Sequence, residues 1–142
     1  MKILSLLILL LSVSVIFSAC DNYGKKATKG PVEVYYKEGI NETEAQKTAN
    51  LLADIDSPNN TAKVTKSMQL IKITDTVCFK MVASKEKLVG VNDMAFEVIG
   101  NMIADSVFNG KPVNVELTDD KFNTFKKIIY KKLDFNNLPE QK

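Results

Sequence analysis

The sequence predicts an α+β fold of the ferredoxin-like, split β-α-β type: a four-stranded antiparallel sheet with two helices on one face, plus a C-terminal helix. The first observation is that segments of two-residue apolar period and segments of helical period follow the order β-α-β-β-α-β. The second is that short stretches rich in Gly, Pro, Asn or Ser separate these segments. The third is the length of 142 residues, 45% of them hydrophobic, which supports one domain of about 100 residues after an N-terminal leader.

The first half of the domain is predicted from alternation and helix-capping signals. In residues 32–36, apolar side chains alternate with Glu33 and Tyr35, which is typical of a half-buried strand. Asn41 or Thr43 is suited to cap a helix over 42–55, which carries one apolar stripe. Two β-branched runs, 64–73 and 77–83, flank a short polar turn and predict a β-hairpin.

The second half repeats the helix and strand signals. Asn92 or Asp93 is suited to cap a largely apolar helix that ends near the Asn109-Gly110 pair. A strand follows over 113–117. Thr118 or Asp119 would then cap a last helix reaching residue 133, and residues 134–142 read as a polar tail. The apolar side chains of that last helix recur at spacings of three, four and four: Phe122, Phe125, Ile129 and Leu133.

Residues 1–19 have the pattern of a signal peptide. Lys2 precedes an apolar run over 3–17, which is short for a membrane span. The run ends in Phe17-Ser18-Ala19-Cys20, and here the chain resembles bacterial membrane lipoproteins. Their cleavage motif has an aliphatic residue and two small residues before an obligatory Cys. Ser18 and Ala19 fit this motif, whereas Phe17 departs from the usual Leu.

The resemblance implies that Cys20 becomes the first residue of the mature chain and carries acyl chains such as palmitate. Two or three acyl chains would hold the protein at its membrane partner, the inner or outer membrane of a bacterial envelope. The alternative is an uncleaved N-terminal anchor in which Cys20 has no role. Residues 20–31 contain two Gly and three Lys and read as the lipidated Cys with a flexible tether, followed by a single domain over 32–133.

Two phrases within the domain, Val34-Tyr35-Tyr36 with the following Gly39-Ile40 and the stretch 107–115, carry a second resemblance. They are similar to small uncharacterised envelope domains of Bacteroidota type. That family implies a cell-envelope role and no particular activity.

Missing residue types exclude several function classes. The chain has no His and no Trp, and all 19 of its basic residues are Lys. Without His there is no Ser-His or Cys-His nucleophile pair and no His-ligated zinc. Without Arg there is no bidentate phosphate clamp. The loop over 37–41 lacks a Cys-x-x-Cys motif, so no metal cargo or cofactor is expected. The signal-peptide pattern predicts export, which argues against a nucleic-acid partner.

The candidate sites that remain have structural explanations. Cys78, in an apolar strand, is expected to be a buried structural thiol rather than a redox group. Asp119-Asp120, with Asp105 or Glu116, would be the best proposal for a divalent cation, but two acids at a helix start are explained by capping. We expect no metal site.

Two further groups complete the candidates. Glu42 and Glu44 are separated by two positions on a helix, so their side chains point in different directions. This argues against a carboxylate pair that acts in acid-base catalysis. The sheet face opposite the helices would carry Tyr35 among charges, with Gln69, Ile71 and Ile73 or their neighbours. Either the C-terminal apolar stripe covers this face or the face is a partner surface.

The sequence therefore predicts a lipid-anchored envelope protein that works as a non-catalytic interaction module, with an unknown envelope protein as its partner. The alternative is an envelope enzyme or small-ligand carrier that uses carboxylate, Lys, Ser or Tyr residues in a pocket. No catalytic residue is predicted for either case.

Overall fold

The domain is one mixed β-sheet with two helices on one face. The computed structural model describes residues 22–56 and 64–137. The strands are β1 (Lys25–Lys29), β2 (Val32–Tyr36), β3 (Lys66–Ile73), β4 (Thr76–Val82), β5 (Val113–Thr118) and β6 (Thr124–Ile128). The helices are α1 (Glu42–Asp56) and α2 (Met94–Val107), and short 3-10 turns lie at Glu86–Leu88 and Phe135–Asn137.

The six strands of the described residues lie in the sheet in chain order. Antiparallel pairs join β1 to β2, β3 to β4 and β5 to β6, whereas β2–β3 and β4–β5 are parallel. Each helix therefore connects two adjacent parallel strands. The predicted α+β class is confirmed, but the four-stranded antiparallel ferredoxin-like sheet is wrong.

The handedness of the crossovers explains why this topology is hard to predict. In a ferredoxin-like sheet, another strand lies between the two parallel strands that each crossover connects. Both crossovers can then be right-handed, which is the hand strongly preferred in β-α-β units. Here α1 and α2 pack against each other on one face. Both crossovers also step in the same direction, from strands that run oppositely. Geometry then gives them opposite hands, and neither capping nor periodicity signals this.

The predicted C-terminal helix is wrong, because the chain forms strand β6 there instead. Every residue of β5 is buried, so its outer edge needs a hydrogen-bonding partner. β6 supplies that partner in antiparallel register, with an irregularity at Leu117/Thr118. Asp119 does cap backbone amides, but those of a turn: its Oδ1 accepts hydrogen bonds from the amides of Lys121 and Asn123, both at 2.9 Å.

The segment predicted as a tether differs as well, since residues 25–29 form edge strand β1. Only Ala27 of this strand is buried, and it pairs with Val34 of β2. The other positions are polar because one face is solvated, and lysines on an edge strand discourage pairing with further chains. A strand with one buried alanine carries almost no periodic apolar signal.

Alternate residues of the inner strands form the core beneath the helices. Neighbours in one row across five strands are Tyr36, Leu70, Phe79, Val115 and Ile128. All five are buried, as are Ala45 and Ala49 of α1 and Ile103 of α2. At Gly100, an added Cβ would lie 3.1 Å from the carbonyl oxygen of Val113, so a glycine lets α2 approach β5 closely.

The predicted ends of both helices are confirmed. Asn41 and Glu44 form a reciprocal capping box in which each side chain accepts a hydrogen bond from the other residue's amide at 2.9 Å. The Asn92 side chain accepts from the amide of Met94 at 3.0 Å. After α2, Asn109 and Gly110 take left-handed φ angles, and Gly110 donates its amide to the carbonyl of Ala104.

Two buried asparagines hold the segment after β6. The Asn101 amide group on α2 donates to the carbonyls of Glu97 and Lys131, both at 2.8 Å, and its oxygen accepts from the amide of Leu133 at 3.0 Å. Asn114 of β5 accepts from the amide of Tyr130 at 2.8 Å. The chain therefore leaves the sheet edge and returns over α2.

Substitution Asn101→Ala is expected to lower the free energy of unfolding by about 1–3 kcal/mol, because it leaves buried backbone groups of the C-terminal segment without partners. Urea denaturation measures this. Asn50→Ala is the matched control, since Asn50 is an exposed position on α1, and it is expected to change stability by less than about 0.5 kcal/mol. Equal effects of the two substitutions would contradict the assigned role of Asn101.

Candidate functional site

The sheet face without helices carries a row of polar side chains. One residue from each strand lies beside the next in register: Lys26, Tyr35, Gln69, Lys80, Glu116 and Lys127. Side chains alternate between the two faces of a strand, so this row lies opposite the apolar row under the helices. The row is our candidate site, and we call it the open face.

An aromatic cluster lies on the open face. The rings of Tyr23, Tyr35 and Phe122 contact one another edge to face, with centroid distances of 5.2–5.9 Å. Such edge-to-face pairs contribute about 0.5–1.5 kcal/mol beyond their buried area. The cluster joins three distant parts of the chain: the segment before β1, strand β2 and the turn before β6.

Polar groups of the row fix the two residues that come from outside the strands. Gln69 donates to the carbonyl of Tyr23 at 2.9 Å, and the ammonium of Lys80 donates to the carbonyl of Phe122 at 3.2 Å. Phe122 has a φ of 61°, in the left-handed region that is costly for a bulky residue. Its ring is buried in return, so the cluster and the row stabilise a strained turn.

One end of the row is a small charged network. The ammonium of Lys26 lies 2.9 Å from Glu33, which also accepts a hydrogen bond from the Tyr35 hydroxyl at 3.2 Å. The hydrogen bond from Lys26 holds the pKa of Glu33 below its usual value. Burial, followed by the neighbouring Glu33 charge, raises the pKa of Tyr35. This part of the site is therefore a carboxylate, a cation and a protonated phenol at neutral pH.

At the other end, Glu116 is a buried carboxylate between two lysines. It lies 3.7 Å from the ammonium of Lys80 and 3.4 Å from that of Lys127, and it accepts a hydrogen bond from the Thr124 hydroxyl at 2.6 Å. Burial acts to raise the pKa of Glu116. The Thr124 hydrogen bond and the two ammonium groups outweigh it, and the net pKa is lowered. Glu116 is thus ionised at neutral pH.

A depression of about 310 Å³ opens beside the aromatic cluster. Three lysines from different parts of the sequence line it: Lys37, Lys80 and Lys121. Its other polar lining groups are amide side chains of Asn22, Gln69 and Asn123. A larger open depression of about 530 Å³ shares Asn22 and Lys37 with it and is also lined by Gly24, Lys25 and the stretch from Tyr36 to Ile40.

Comparison with known proteins adds a family. Residues 26–129 match the model of an N-terminal domain family, AF_1994_N, and the match runs from β1 into the residue after β6. The chain belongs to this family. The family domain includes β1 and β6, the two strands that the sequence patterns did not indicate. No curated protein and no solved structure matches the chain significantly.

The predicted lipid attachment at Cys20 and its recognition residues Phe17, Ser18 and Ala19 lie outside the described residues, so these predictions stand as made. Within residues 22–56 and 64–137, no helix is both long and apolar enough to span a membrane.

The structure separates the acidic residues that were considered for a cation site. Glu116 lies on the open face, whereas Asp105 is exposed on α2, across the sheet. Asp119 accepts hydrogen bonds within its own turn, and the side-chain hydrogen bond from Asn123 lowers the pKa of Asp119. In the part of the chain that the structure describes, no group of three His, Cys, Asp or Glu residues could hold a metal ion.

Cys78 is a free thiol, and the prediction that it is buried is confirmed. It pairs with Asn114 in the sheet. Burial, together with the nearby charge of Glu116, raises the pKa of the thiol. A protonated, covered sulfur is a poor nucleophile.

The prediction that Tyr35 and Gln69 share the open face is confirmed, since they are register neighbours. Of the C-terminal apolar stripe, Phe122 alone joins the aromatic cluster, and Ile129 is 63% exposed. Sequence reasoning missed Tyr23, Lys80 and Lys121. Lys80 at a strand centre was a usable signal, because a charge at a half-buried position needs a partner.

Acid should destabilise the domain through Glu116. Its folded-state pKa is below the ordinary value of about 4.3, so its stabilising contribution is complete above that pH and is lost as the pH falls through the folded-state pKa. Glu116→Gln should lower the free energy of unfolding at neutral pH by about 1–3 kcal/mol. Below a pH of about 4.3, the variant should lose less stability than the wild type as the pH falls.

Urea denaturation at several pH values measures this effect. Asp54→Asn, at an exposed position of α1, is the control and should keep the wild-type pH dependence. If Glu116→Gln lost stability in acid in parallel with the wild type, the lowered pKa of Glu116 would be disproved.

Cys78 should resist thiol reagents in the folded protein. In a Cys20→Ser chain, where Cys78 is the remaining cysteine, we expect labelling by a maleimide to be slow in buffer and to become rapid in denaturing urea. The rate is measured by mass spectrometry. Rapid labelling without denaturant would show that the thiol is accessible.

Proposed function

We propose that this protein is a lipid-anchored component of a bacterial cell envelope and that its domain is a non-catalytic binding module. Cys20 carries the anchor, and the open face is the surface that binds. The observation that carries the proposal is the aromatic cluster of Tyr23, Tyr35 and Phe122, set among paired charges on a sheet face that no helix of residues 22–56 and 64–137 covers.

The protonation states of the open face favour binding over catalysis. Glu33 and Glu116 both have lowered pKa values and both lie against ammonium groups. An ionised, ion-paired carboxylate is a weak base and has no proton to give at neutral pH. Cys78 is covered, and burial raises the pKa of its thiol. These groups order the surface rather than form an acid-base pair.

The composition of the open face also supports a binding role. Tyr residues combine a large rigid contact area with a polar tip, and they are enriched where proteins bind partners. The ammonium group of Lys26 lies 5.7 Å above the Tyr35 ring. Aromatic rings that pack against one another are already ordered, which lowers the entropy lost on binding.

The anchor rests on the lipoprotein-like motif Phe17-Ser18-Ala19-Cys20. Two acyl chains hold a protein stably at a membrane, whereas one chain is marginal. The first described residue, Asn22, lies two positions after Cys20. A mature chain that begins at Cys20 would therefore hold its folded domain close to the membrane surface.

A small-ligand carrier is the second candidate function. The open depression of about 530 Å³ beside Gly24 favours it, because its volume falls within the range of small-molecule sites. Its lining combines the side chains of Tyr36 and Ile40 with those of Lys37 and Glu38.

The anchor is tested by labelling growing cells with an alkynyl fatty acid. We expect the wild-type chain to be labelled. The Cys20→Ala chain should lose the label completely, because the lipid is attached through the sulfur of Cys20. Cys78→Ala is the matched control, because it removes the other cysteine, and it should keep full labelling. Label that survives in Cys20→Ala would refute the lipoprotein assignment.

The binding role is tested by crosslinking in intact cells through a tag placed after Lys142. We expect one recurrent protein with the wild type and at least a severalfold loss with Tyr23→Ala, which removes a ring of the cluster. Phe135→Ala is the control, because Phe135 is an aromatic residue outside the cluster that follows the segment bound to α2. Equal recovery with both variants would refute the open face as the binding surface. Capture of bulk lipoproteins alone would favour the carrier.

A further inference from the structure

The lysine-lined depression on the open face lies where the chain enters the domain from its N-terminus. Asn22 and Tyr23 form part of its rim. Asn22 lies two positions after Cys20, and two fully extended residue steps span about 7 Å. If Cys20 is acylated, as proposed above, the depression lies within reach of the lipid headgroups.

The charge of the depression is positive. Lys37 and Lys121 are exposed on its rim, and the half-buried Lys80 lies deeper. None of the described residues that line it is acidic. Glu116 is shared between Lys80 and Lys127, and Asp119 accepts hydrogen bonds from the amides of its own turn. Within residues 22–56 and 64–137, no carboxylate lies within ion-pair distance of Lys37 or Lys121.

The neutral groups of the depression also suit an anionic ligand. Asn22, Gln69 and Asn123 line it. Gln69 donates one N–H to the carbonyl of Tyr23 and Asn123 donates one to Asp119, and each amide group has a second N–H for a phosphate oxygen. Tyr23 and Phe122 also line it, beside the lysines. Aromatic rings combined with Lys are typical of protein surfaces at the headgroup level of a bilayer.

We propose that this depression binds the phosphate of an anionic phospholipid in the membrane that holds the anchor. The proposal rests on the lipid anchor of the proposed function. The acyl chains supply attachment, and the depression supplies orientation: it turns the rim at Lys37 and Lys121 toward the bilayer. Clustered lysines close to a membrane surface favour anionic lipid over zwitterionic lipid.

The experiment uses the full chain extracted from membranes and reconstituted in nanodiscs. One set contains phosphatidylcholine alone, and the other also contains phosphatidylglycerol. Amide hydrogen exchange is followed by mass spectrometry. We expect severalfold slower exchange in peptides that cover residues 22–24 and 121–123 in the anionic discs, and no change in peptides of α1. High salt should remove the difference, because it screens exposed charges.

Paired variants separate a site from general charge. Lys37→Gln/Lys121→Gln removes two charges at the depression, and we expect it to abolish the protection by anionic lipid. Lys47→Gln/Lys111→Gln removes two charges from exposed positions on α1 and before β5, and it should keep the protection. Equal behaviour of the two double variants, or equal exchange in both kinds of disc, would overturn the proposal.

A second arm distinguishes a lipid headgroup from a soluble anion. Inorganic phosphate is titrated into the chain in phosphatidylcholine discs at constant ionic strength. Protection equal to that of anionic lipid would show a soluble-anion site and overturn the membrane assignment. Mass spectrometry of the N-terminal peptide reports acylation separately. An acylated chain without protection refutes the depression alone, whereas protection in a chain without acyl groups refutes the anchor alone.

Discussion

The complete burial of β5 is the constraint on which the rest of the structure depends. A strand with six buried residues must be covered on both faces and hydrogen-bonded along both edges. β4 and β6 occupy its edges. Helix α2 covers one face, where Gly100 permits a close approach. On the other face, the alternate side chains Asn114, Glu116 and Thr118 find partners in neighbouring strands and in the C-terminal segment.

Those partners determine the character of the open face. Because Glu116 is charged and nearly buried, it needs cations, and Lys80 and Lys127 provide them from both adjoining strands. Lys80 in turn holds the carbonyl of Phe122, which brings that ring to Tyr23 and Tyr35. The buried carboxylate of Glu116 on β5 is thus linked through two contacts, to Lys80 and then to Phe122, to the aromatic cluster on the same face of the sheet. The binding surface and the fold share the same interactions, so damage to Glu116 should affect both.

The local elements were predictable where their signals are local. The capping box of Asn41 and Glu44, the β3–β4 hairpin and the Asn109-Gly110 end of α2 follow from a few neighbouring residues. The Phe122-to-Leu133 stripe was misleading, because its four apolar residues lie in a turn, in β6 and in the segment after β6, and Ile129 is exposed. Strand β1 was missed because a solvated edge strand with one buried alanine has no apolar alternation. Of the candidate site, Tyr35 and Gln69 were predicted, whereas Tyr23, Lys80 and Lys121 come together from separate parts of the chain.

By itself the sequence determined the α+β class, the positions of both helices and four of the strands, the buried thiol of Cys78 and, as predictions, the leader and the lipid attachment at Cys20. These depend on composition and on contacts between residues close in sequence. Tertiary structure alone decided the strand order, the parallel pairings, the use of residues 25–29 and 124–128 as edge strands, and the charge of the depression at Lys37, Lys80 and Lys121. Strand order and site geometry depend on contacts between distant residues, which periodicity cannot encode because it records only which side of an element is buried.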